Sequence, residues 1–176
     1  NISFTETETS FYNERQRVEI DLVKSLETDE AYGVGNNGEI FDVTFGLYAE
    51  TDLTAADGTV IPADGLIEII SLDENGKGTV NSDLPFGSYY VKELSTNSAY
   101  VLNEQKYPVH FEYAGQDTAV VHLSANDSEA IENEIIYGSV SGLKSDEDGN
   151  ALGGAVIGIF KTGTEEFTKE NAIQTT

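Results

Sequence analysis

The chain contains no cysteine, methionine or tryptophan, and only 3 of its 176 residues are proline. The absence of cysteine excludes a disulfide framework, a thiolate nucleophile and a cysteine-ligated metal site. Basic residues are also scarce: 9 Lys and Arg stand against 32 Asp and Glu, which gives a formal net charge of −23. Such a charge repels nucleic-acid phosphates and anionic membranes, so we expect no nucleic-acid partner and no membrane partner.

Long apolar runs are lacking too. No stretch approaches the roughly 20 apolar residues of a membrane span. No signal peptide is recognisable and the sequence does not begin with methionine, so we expect a piece of a longer, exported chain. The content of 39% hydrophobic and 10% aromatic residues nevertheless indicates a folded domain.

What is present is a series of short segments in which apolar and polar residues alternate with period two. Such segments, bounded by turns rich in Gly, Asn and Asp, are typical of half-buried β-strands. The predicted strands cover residues 18–24, 41–49, 66–72, 88–94, 107–113, 118–123, 129–137 and 155–160. We predict an all-β sandwich with antiparallel pairing and a short helical turn near 97–103.

A weak internal repeat bears on the domain organisation. At an offset of 120, residues 11–14 align with 131–134 and Lys24 aligns with Lys144, with an insertion at 31–38 in the first copy. The repeat predicts three parts: the closing strand of an upstream domain plus a linker at 1–17, a complete domain at 18–137, and the opening of a further, truncated domain at 138–176. The alternative is one domain with an N-terminal arm and a C-terminal extension.

Three polar residues fall on the apolar face of their strands. Lys24 follows Val18, Ile20 and Leu22 in phase, while Glu93 and Asn133 occupy the same kind of position in two later strands. A buried lone amine or carboxylate costs several kcal/mol, so such groups pair or lose their charge. We therefore predict that the three side chains meet in the core. The alternative is that Lys24 and Glu93 leave the core at the ends of their strands.

These three groups also form a chemical set. A neutral amine is a nucleophile, the Asn amide is a weak electrophile, and a carboxylic acid beside both can transfer protons. Burial favours the neutral forms because it lowers the pKa of a Lys and raises that of a Glu. The predicted product is a Lys24–Asn133 isopeptide bond, with release of ammonia.

Two sequence strings carry a family resemblance. Residues 73–76 read Asp-Glu-Asn-Gly, and residues 84–93 read Leu-Pro-Phe-Gly-Ser-Tyr-Tyr-Val-Lys-Glu. They resemble the D-x-N-G and L-P-x-G-x-Y-x-x-x-E run of the Cna B-type, or SpaA-like pilin, isopeptide domains of Gram-positive surface adhesins and pili. The similarity covers most of 18–137 and the opening of a second copy in 138–161. The insertion at 31–38 departs from the family pattern because it lengthens the first hairpin.

The resemblance implies a Greek-key, immunoglobulin-like β-sandwich in a tandem array, with neighbouring first and last strands. It places the reactive lysine on Lys24, the catalytic glutamate on Glu93 and the terminal asparagine on Asn133. Asn13 and Lys144 resemble the cross-linking residues of an upstream and a downstream domain. The implied protein is an extracellular, cell-wall-anchored structural stalk without cofactor or enzymatic turnover. Its implied partners are neighbouring domains and, through distal regions, a host protein or glycan.

Two other functions stay open. One is a module that binds a host protein or glycan through residues 31–38 and 51–65, and the other is an accessory domain of a secreted carbohydrate-active enzyme.

No metal site is predicted, because the acidic turns at 73–76 and 146–150 do not fit an EF-hand. His110 and His122, which would face each other across a hairpin, lack a third ligand for zinc.

Overall fold

The protein is described by a computed structural model that covers residues 15–55 and 57–176. Within this part of the chain the strands are β1 (Arg17–Leu26), β2 (Thr44–Ala49), β3 (Leu53–Thr54), β4 (Val60–Ile61), β5 (Leu66–Ser71), β6 (Lys77–Thr79), β7 (Gly87–Ser95), β8 (Lys106–Phe111), β9 (Val120–Ser124), β10 (Ile131–Asn133), β11 (Gly158–Ile159) and β12 (Gln174–Thr175). Two short 3₁₀ segments lie at Glu39–Asp42 and Ala125–Ser128. The all-β fold class predicted from the alternation is confirmed.

Two four-stranded sheets enclose the core. In the first sheet, β1 lies between β10 and β6, and β9 also pairs with β1. The second sheet has the order β5-β2-β7-β8 and is antiparallel throughout. One apolar cluster joins the two sheets, with Ile20, Leu22, Phe45, Leu47, Val91, Val109, Phe111 and Ile131 among its members.

The expectation of antiparallel pairing alone was wrong for the first sheet. β1 pairs in parallel with both β9 and β10, and antiparallel only with β6. The period-two pattern determines which side chains point inward, but it carries no information on the direction of the neighbouring strand. The parallel pairing brings the C-terminal end of β1 beside the end of β10.

Strand ends differ from the prediction where the backbone turns early. The strand predicted at 41–49 begins only at Thr44, because Glu39–Asp42 is a 3₁₀ segment that follows Gly38 in a left-handed conformation, with φ of 86°. The strand predicted at 129–137 is reduced to β10. Near 97–103 the chain makes a turn closed by the Tyr100 amide donating to the Asn97 carbonyl (3.0 Å) instead of a helix.

A left-handed turn sets the position of β10. Asn126, Asp127 and Ser128 have φ values of 57°, 51° and 70°, in the region that Asn and Asp tolerate better than most residues. The Asn126 side chain donates to the Glu129 carbonyl (3.2 Å) and closes the turn. The chain thereby leaves β9 and resumes its parallel path along β1 as β10.

Residues 138–176 contain little regular structure. β11 and β12 pair with each other in antiparallel fashion, and an isolated bridge joins Ser145 and Ala151. Apolar side chains are exposed here, among them Val140 and Phe167.

Over residues 15–55 and 57–176, no helix is long and apolar enough to cross a membrane. The domain boundaries at residues 17 and 137 stay predictions.

Candidate functional site

The three polar residues singled out by the alternation lie together in the core. Lys24 is 3% exposed, Glu93 1% and Asn133 2%. Lys24 and Asn133 belong to the first sheet, where Lys24 pairs with Ile131 in β10 and Asn133 lies two residues further along the same face. Glu93 reaches them from β7 of the second sheet, opposite the buried ring of Phe45. The site therefore spans both layers.

The Glu93 carboxylate lies between the amine and the amide. Its Oε2 atom is 3.9 Å from the Nζ atom of Lys24, and its Oε1 atom accepts a hydrogen bond of 2.6 Å from Nδ2 of Asn133. The Lys24 amine also donates to the Ile131 carbonyl at 2.8 Å and to the Ser25 carbonyl at 3.1 Å. One carboxyl group thus contacts both potential reactants through different oxygen atoms.

Two atoms of the site are left without hydrogen bonds. Glu93 Oε2 and Asn133 Oδ1 are buried and have no hydrogen-bond partner among the described residues. Buried polar atoms without partners are rare in folded proteins and carry a cost of about 1–3 kcal/mol each. Such an arrangement stabilises the fold poorly as it stands, and it leaves the amide carbonyl without competing donors.

Burial moves both ionisable groups toward their neutral forms. Desolvation lowers the pKa of Lys24 to about 8, against the opposing charges of Glu93 and Glu132. Desolvation also raises the pKa of Glu93, although contacts with Asn133, Lys24 and Thr96 work in the other direction. The neutral amine and neutral acid are therefore much closer in free energy to the charged pair than they would be in water.

The Asp-Glu-Asn-Gly turn at 73–76 supports the backbone at Lys24. The Lys24 amide donates to the Gly76 carbonyl at 2.8 Å. Gly76 has φ of 73°, and a Cβ atom at this position would overlap the carbonyl oxygen of Lys24. Glycine is therefore required here both for the left-handed backbone and for the close approach of the two chains.

The Leu-Pro-Phe-Gly-Ser-Tyr segment at 84–89 positions Glu93. Gly87 lies against the side chain of Leu53, where a Cβ atom would come within 2.5 Å of Leu53 Cδ2. Tyr89 is fully buried, and its hydroxyl donates to the Pro85 carbonyl at 2.5 Å. Tyr89 and Glu93 are four residues apart in β7, so anchoring the tyrosine also directs the glutamate inward.

Sequence reasoning missed Thr96. Its Oγ1 atom accepts a hydrogen bond of 3.0 Å from Nδ2 of Asn133. The residue follows the end of β7 at Ser95, so the period-two rule says nothing about its orientation. Only its distance of three residues from Glu93 could have indicated that it lies near the site.

The insertion at 31–38 has its own internal structure near Lys24. The carboxylate of Glu39 accepts from the amides of Gly35 (3.1 Å) and Asn37 (2.6 Å). Backbone amide donors, chiefly those of Glu39 and Asn37, lower the pKa of Glu39 to about 2. The loop borders a cleft whose lining includes Lys24 and the 74–76 turn.

Of the two residues predicted to cross-link within neighbouring domains, the structure describes only Lys144, which is not part of the site. Asn13 lies outside the described residues. Lys144 is exposed, and its amine donates only weakly to the Ser145 carbonyl, at 3.4 Å.

The histidines are placed differently from the prediction. β8 and β9 belong to different sheets, so His110 and His122 do not face each other across a hairpin. His122 lies 2.9 Å from a carboxylate oxygen of Glu19. Cross-strand pairing instead brings His110 within 3.0 Å of Ser88 Oγ on the outer face of the second sheet.

The acidic turns are closed by their own backbone. Asp73 accepts from the amides of Asn75 and Lys77 at 2.8 Å, and Asp146 accepts from the amide of Asn150 at the same distance. Across the described ranges, no group of three or more His, Asp or Glu side chains is arranged to hold a metal ion. The carboxylates at these turns therefore have a structural use as turn-closing acceptors.

Comparison with known proteins gives the family. The SpaA prealbumin-like fold domain matches residues 16–127. The chain belongs to this family. Lys24 and Glu93 lie inside the matched range, whereas Asn133 follows it by a few residues.

Similar solved structures come from Gram-positive bacteria. They include the Bacillus anthracis TIE protein (15% identity, 80% of this chain and 24% of that chain, TM-score 0.45). GBS52, the minor pilin of Streptococcus agalactiae, is 21% identical over 72% of this chain and 48% of that chain, with a TM-score of 0.41. The group B streptococcus pilus 2b backbone protein is 17% identical over 69% and 42%, with a TM-score of 0.40.

The chain therefore spans less than half the length of each of these three structures. The comparison with curated proteins gave no match.

Proposed function

We propose that this SpaA-family chain is a structural module of a Gram-positive cell-surface protein, a pilus subunit or an adhesin, and that it cross-links itself through Lys24 and Asn133. The observation that carries the proposal is the contact of a buried amine, a buried carboxyl group and a buried amide inside an otherwise apolar core. The bond forms once per molecule, so the chain modifies itself without turnover and needs no cofactor.

The geometry suits a single carboxyl group that serves both reactants. A proton passes from the Lys24 ammonium to Glu93, which gives a neutral amine beside a neutral acid. The Nζ atom then attacks Cγ of Asn133, and the new N–C bond forms. Glu93 delivers its proton to Nδ2, the Cγ–Nδ2 bond breaks and ammonia leaves, and the Glu93 carboxylate takes the surplus proton from the attacking nitrogen.

The positions of the two Glu93 carboxyl oxygens support the role of this residue in both proton transfers. Oε2 of Glu93 is the oxygen nearer the nucleophile and Oε1 is hydrogen-bonded to the leaving nitrogen. Because the reactants are held by the fold, the reaction is intramolecular, and proximity supplies much of what a sluggish amide substitution lacks in solution. Formation of the bond also removes the unfavourable buried charges of Lys24 and Glu93.

The bond would change how the module carries force. Tension that enters before β1 and leaves after β10 passes from residues 18–24 through the bond to residues 133–137. Everything between residues 25 and 132 is then outside the load path. The bond closes a loop of roughly 100 residues, worth about 4–5 kcal/mol in the chain-entropy account of cross-links. An amide, unlike a disulfide, also withstands reducing agents.

The predicted domain boundaries and the two predicted cross-linking residues outside the module are part of the same proposal. Residues 1–17 would close an upstream domain, 18–137 form the complete module, and 138–176 open a further domain. Asn13 and Lys144 would then cross-link within those neighbouring domains. The exposure of Leu143 and Phe167 supports this arrangement, because apolar side chains of this size are buried when a sandwich is complete.

The ligand-binding alternative receives less support. Tyr32 (44% exposed) and Phe41 (61% exposed) lie in or beside the 31–38 insertion, whereas residues 51–65 contain no aromatic residue at all. The two loops therefore do not form a joint aromatic surface of the kind that binds proteins or sugars.

Intact-mass spectrometry of the folded chain tests the proposal. The wild type should be lighter than its sequence by one ammonia, and Glu93→Ala should have the full sequence mass. Asn133→Ala is the matched control, because it retains Glu93 and should also lack the bond. A wild-type chain of full mass would refute the cross-link and leave the family assignment intact.

A further inference from the structure

Thr96 contacts the proposed reaction centre from outside the three-residue set. Its hydroxyl oxygen accepts a hydrogen bond from Nδ2 of Asn133 at 3.0 Å, while the same nitrogen donates to Oε1 of Glu93 at 2.6 Å. The amide nitrogen has two hydrogens, and each is therefore assigned to one acceptor. This fixes the rotation of the Asn133 side chain about its last bond.

We propose that Thr96 is a positioning residue for isopeptide formation, which holds the Asn133 carboxamide with its leaving nitrogen at Glu93 and its carbonyl carbon open to Lys24. The inference rests on the proposed function, since it assigns a further residue to the same reaction. The orientation of the carboxamide decides whether the acid meets the nitrogen that must depart or the oxygen that must stay.

The Thr96 hydroxyl group can also act as a hydrogen-bond donor. A threonine hydroxyl has one donor hydrogen in addition to its acceptor lone pairs. With its oxygen occupied by Asn133, its hydrogen is free for the Glu93 carboxyl group, and this contact lowers the pKa of Glu93 against the larger effect of desolvation. Thr96 therefore connects the orientation of the amide to the protonation of the acid.

The chain offers a test with a conservative pair of substitutions. Thr96→Val keeps the branched shape and removes the hydroxyl, whereas Thr96→Ser keeps the hydroxyl. The full chain is recovered unfolded from inclusion bodies, refolded by dilution at a series of pH values, and sampled over time by intact mass. The fraction lighter by one ammonia gives the rate of bond formation.

We expect Thr96→Val to form the bond more slowly by a factor of about ten to a hundred, which corresponds to one lost hydrogen bond to a charged or reacting group. Its rate profile should also move to higher pH on the acidic side, because the pKa of Glu93 rises when the hydroxyl contact is lost. Thr96→Ser should restore both the rate and the profile. A role confined to packing would slow folding without moving the pH profile.

Two controls separate the outcomes. Thr79→Val removes an exposed hydroxyl that donates to Asp21 at 2.8 Å, and it should leave the rate unchanged. Thr96→Val in the unbonded Asn133→Ala chain shows by circular dichroism whether the substitution permits folding, and Thr96→Ala replaces it if it does not.

The inference is overturned if Thr96→Val, or Thr96→Ala in its place, forms the bond at the wild-type rate with the wild-type pH profile, or if Thr96→Ser is as slow as the variant without the hydroxyl. A wild-type chain that never loses ammonia overturns the cross-link itself, and the role of Thr96 with it. The wild type thus reports on the proposed function, and the variants report on Thr96.

Discussion

Pulling on the two ends of the chain should extend the wild type far less than a variant without the bond. In Glu93→Gln the carboxyl group is replaced by an amide of similar shape, so the fold is retained while proton transfer is lost. Without the Lys24–Asn133 bond, residues 25–132 enter the load path and add about 38 nm of contour length at roughly 3.5 Å per residue. With the bond, these residues contribute nothing.

Single-molecule force spectroscopy measures this difference directly. The chain is held through handles at its two termini, so residues 1–17 and 138–176 contribute equally in all variants. Unfolding of Glu93→Gln and of Asn133→Ala should each show the full additional extension, and the wild type should not show it at any force that leaves covalent bonds intact. Equal extension in the wild type and both variants would refute the load path and the bond on which it depends.

Two further predictions concern pH and the turn beside Lys24. The rate of bond formation on refolding, followed by intact mass, should be greatest between the raised pKa of Glu93 and about pH 8, the lowered pKa of Lys24. Between these two pKa values the amine and the carboxyl group share one proton, so the neutral pair forms by proton transfer within the site. Below this range both groups are protonated, and above it both have lost that proton, so a rate that rises steadily to pH 10 would contradict the mechanism. Gly76→Ala should destabilise the unbonded Asn133→Ala chain by more than about 1–3 kcal/mol in urea unfolding, because a clash with the Lys24 carbonyl adds to the left-handed strain. Gly115 is also left-handed, but a Cβ atom there would have open space around it, so Gly115→Ala measures the backbone strain alone. Equal losses of stability at both glycines would show that the clash at Gly76 is relieved.

The period-two rule was sufficient to predict which side chains of β1 point into the core. Val18, Ile20 and Leu22 alternate with charged residues, and the structure buries them as the period-two rule requires. The same rule predicts burial of Lys24, Glu93 and Asn133, since each continues an apolar stripe. The contact among the three follows from burial, because isolated polar groups in a core must find one another.

The pairing of the strands and the residues at which strands end could not be predicted in the same way. The parallel pairing of β1 with β10 depends on a left-handed turn at 126–128, which has no glycine to signal it. Phe41 continues the alternation of its predicted strand but lies in a 3₁₀ segment, where its amide donates to the Gly38 carbonyl at 3.0 Å. Thr96 contacts the site from beyond the end of a strand, where the alternation rule no longer applies.

The central claim is a covalent bond between two named side chains, and peptide mapping tests it most directly. Trypsin does not cleave after an acylated lysine, so the wild type should give residues 18–77 joined to residues 107–144 in one branched peptide, one ammonia lighter than the two together. Fragmentation should place the branch at Lys24 and Asn133, and Glu93→Ala should give residues 18–24, 25–77 and 107–144 as separate peptides. Separate peptides from the wild type would contradict the account.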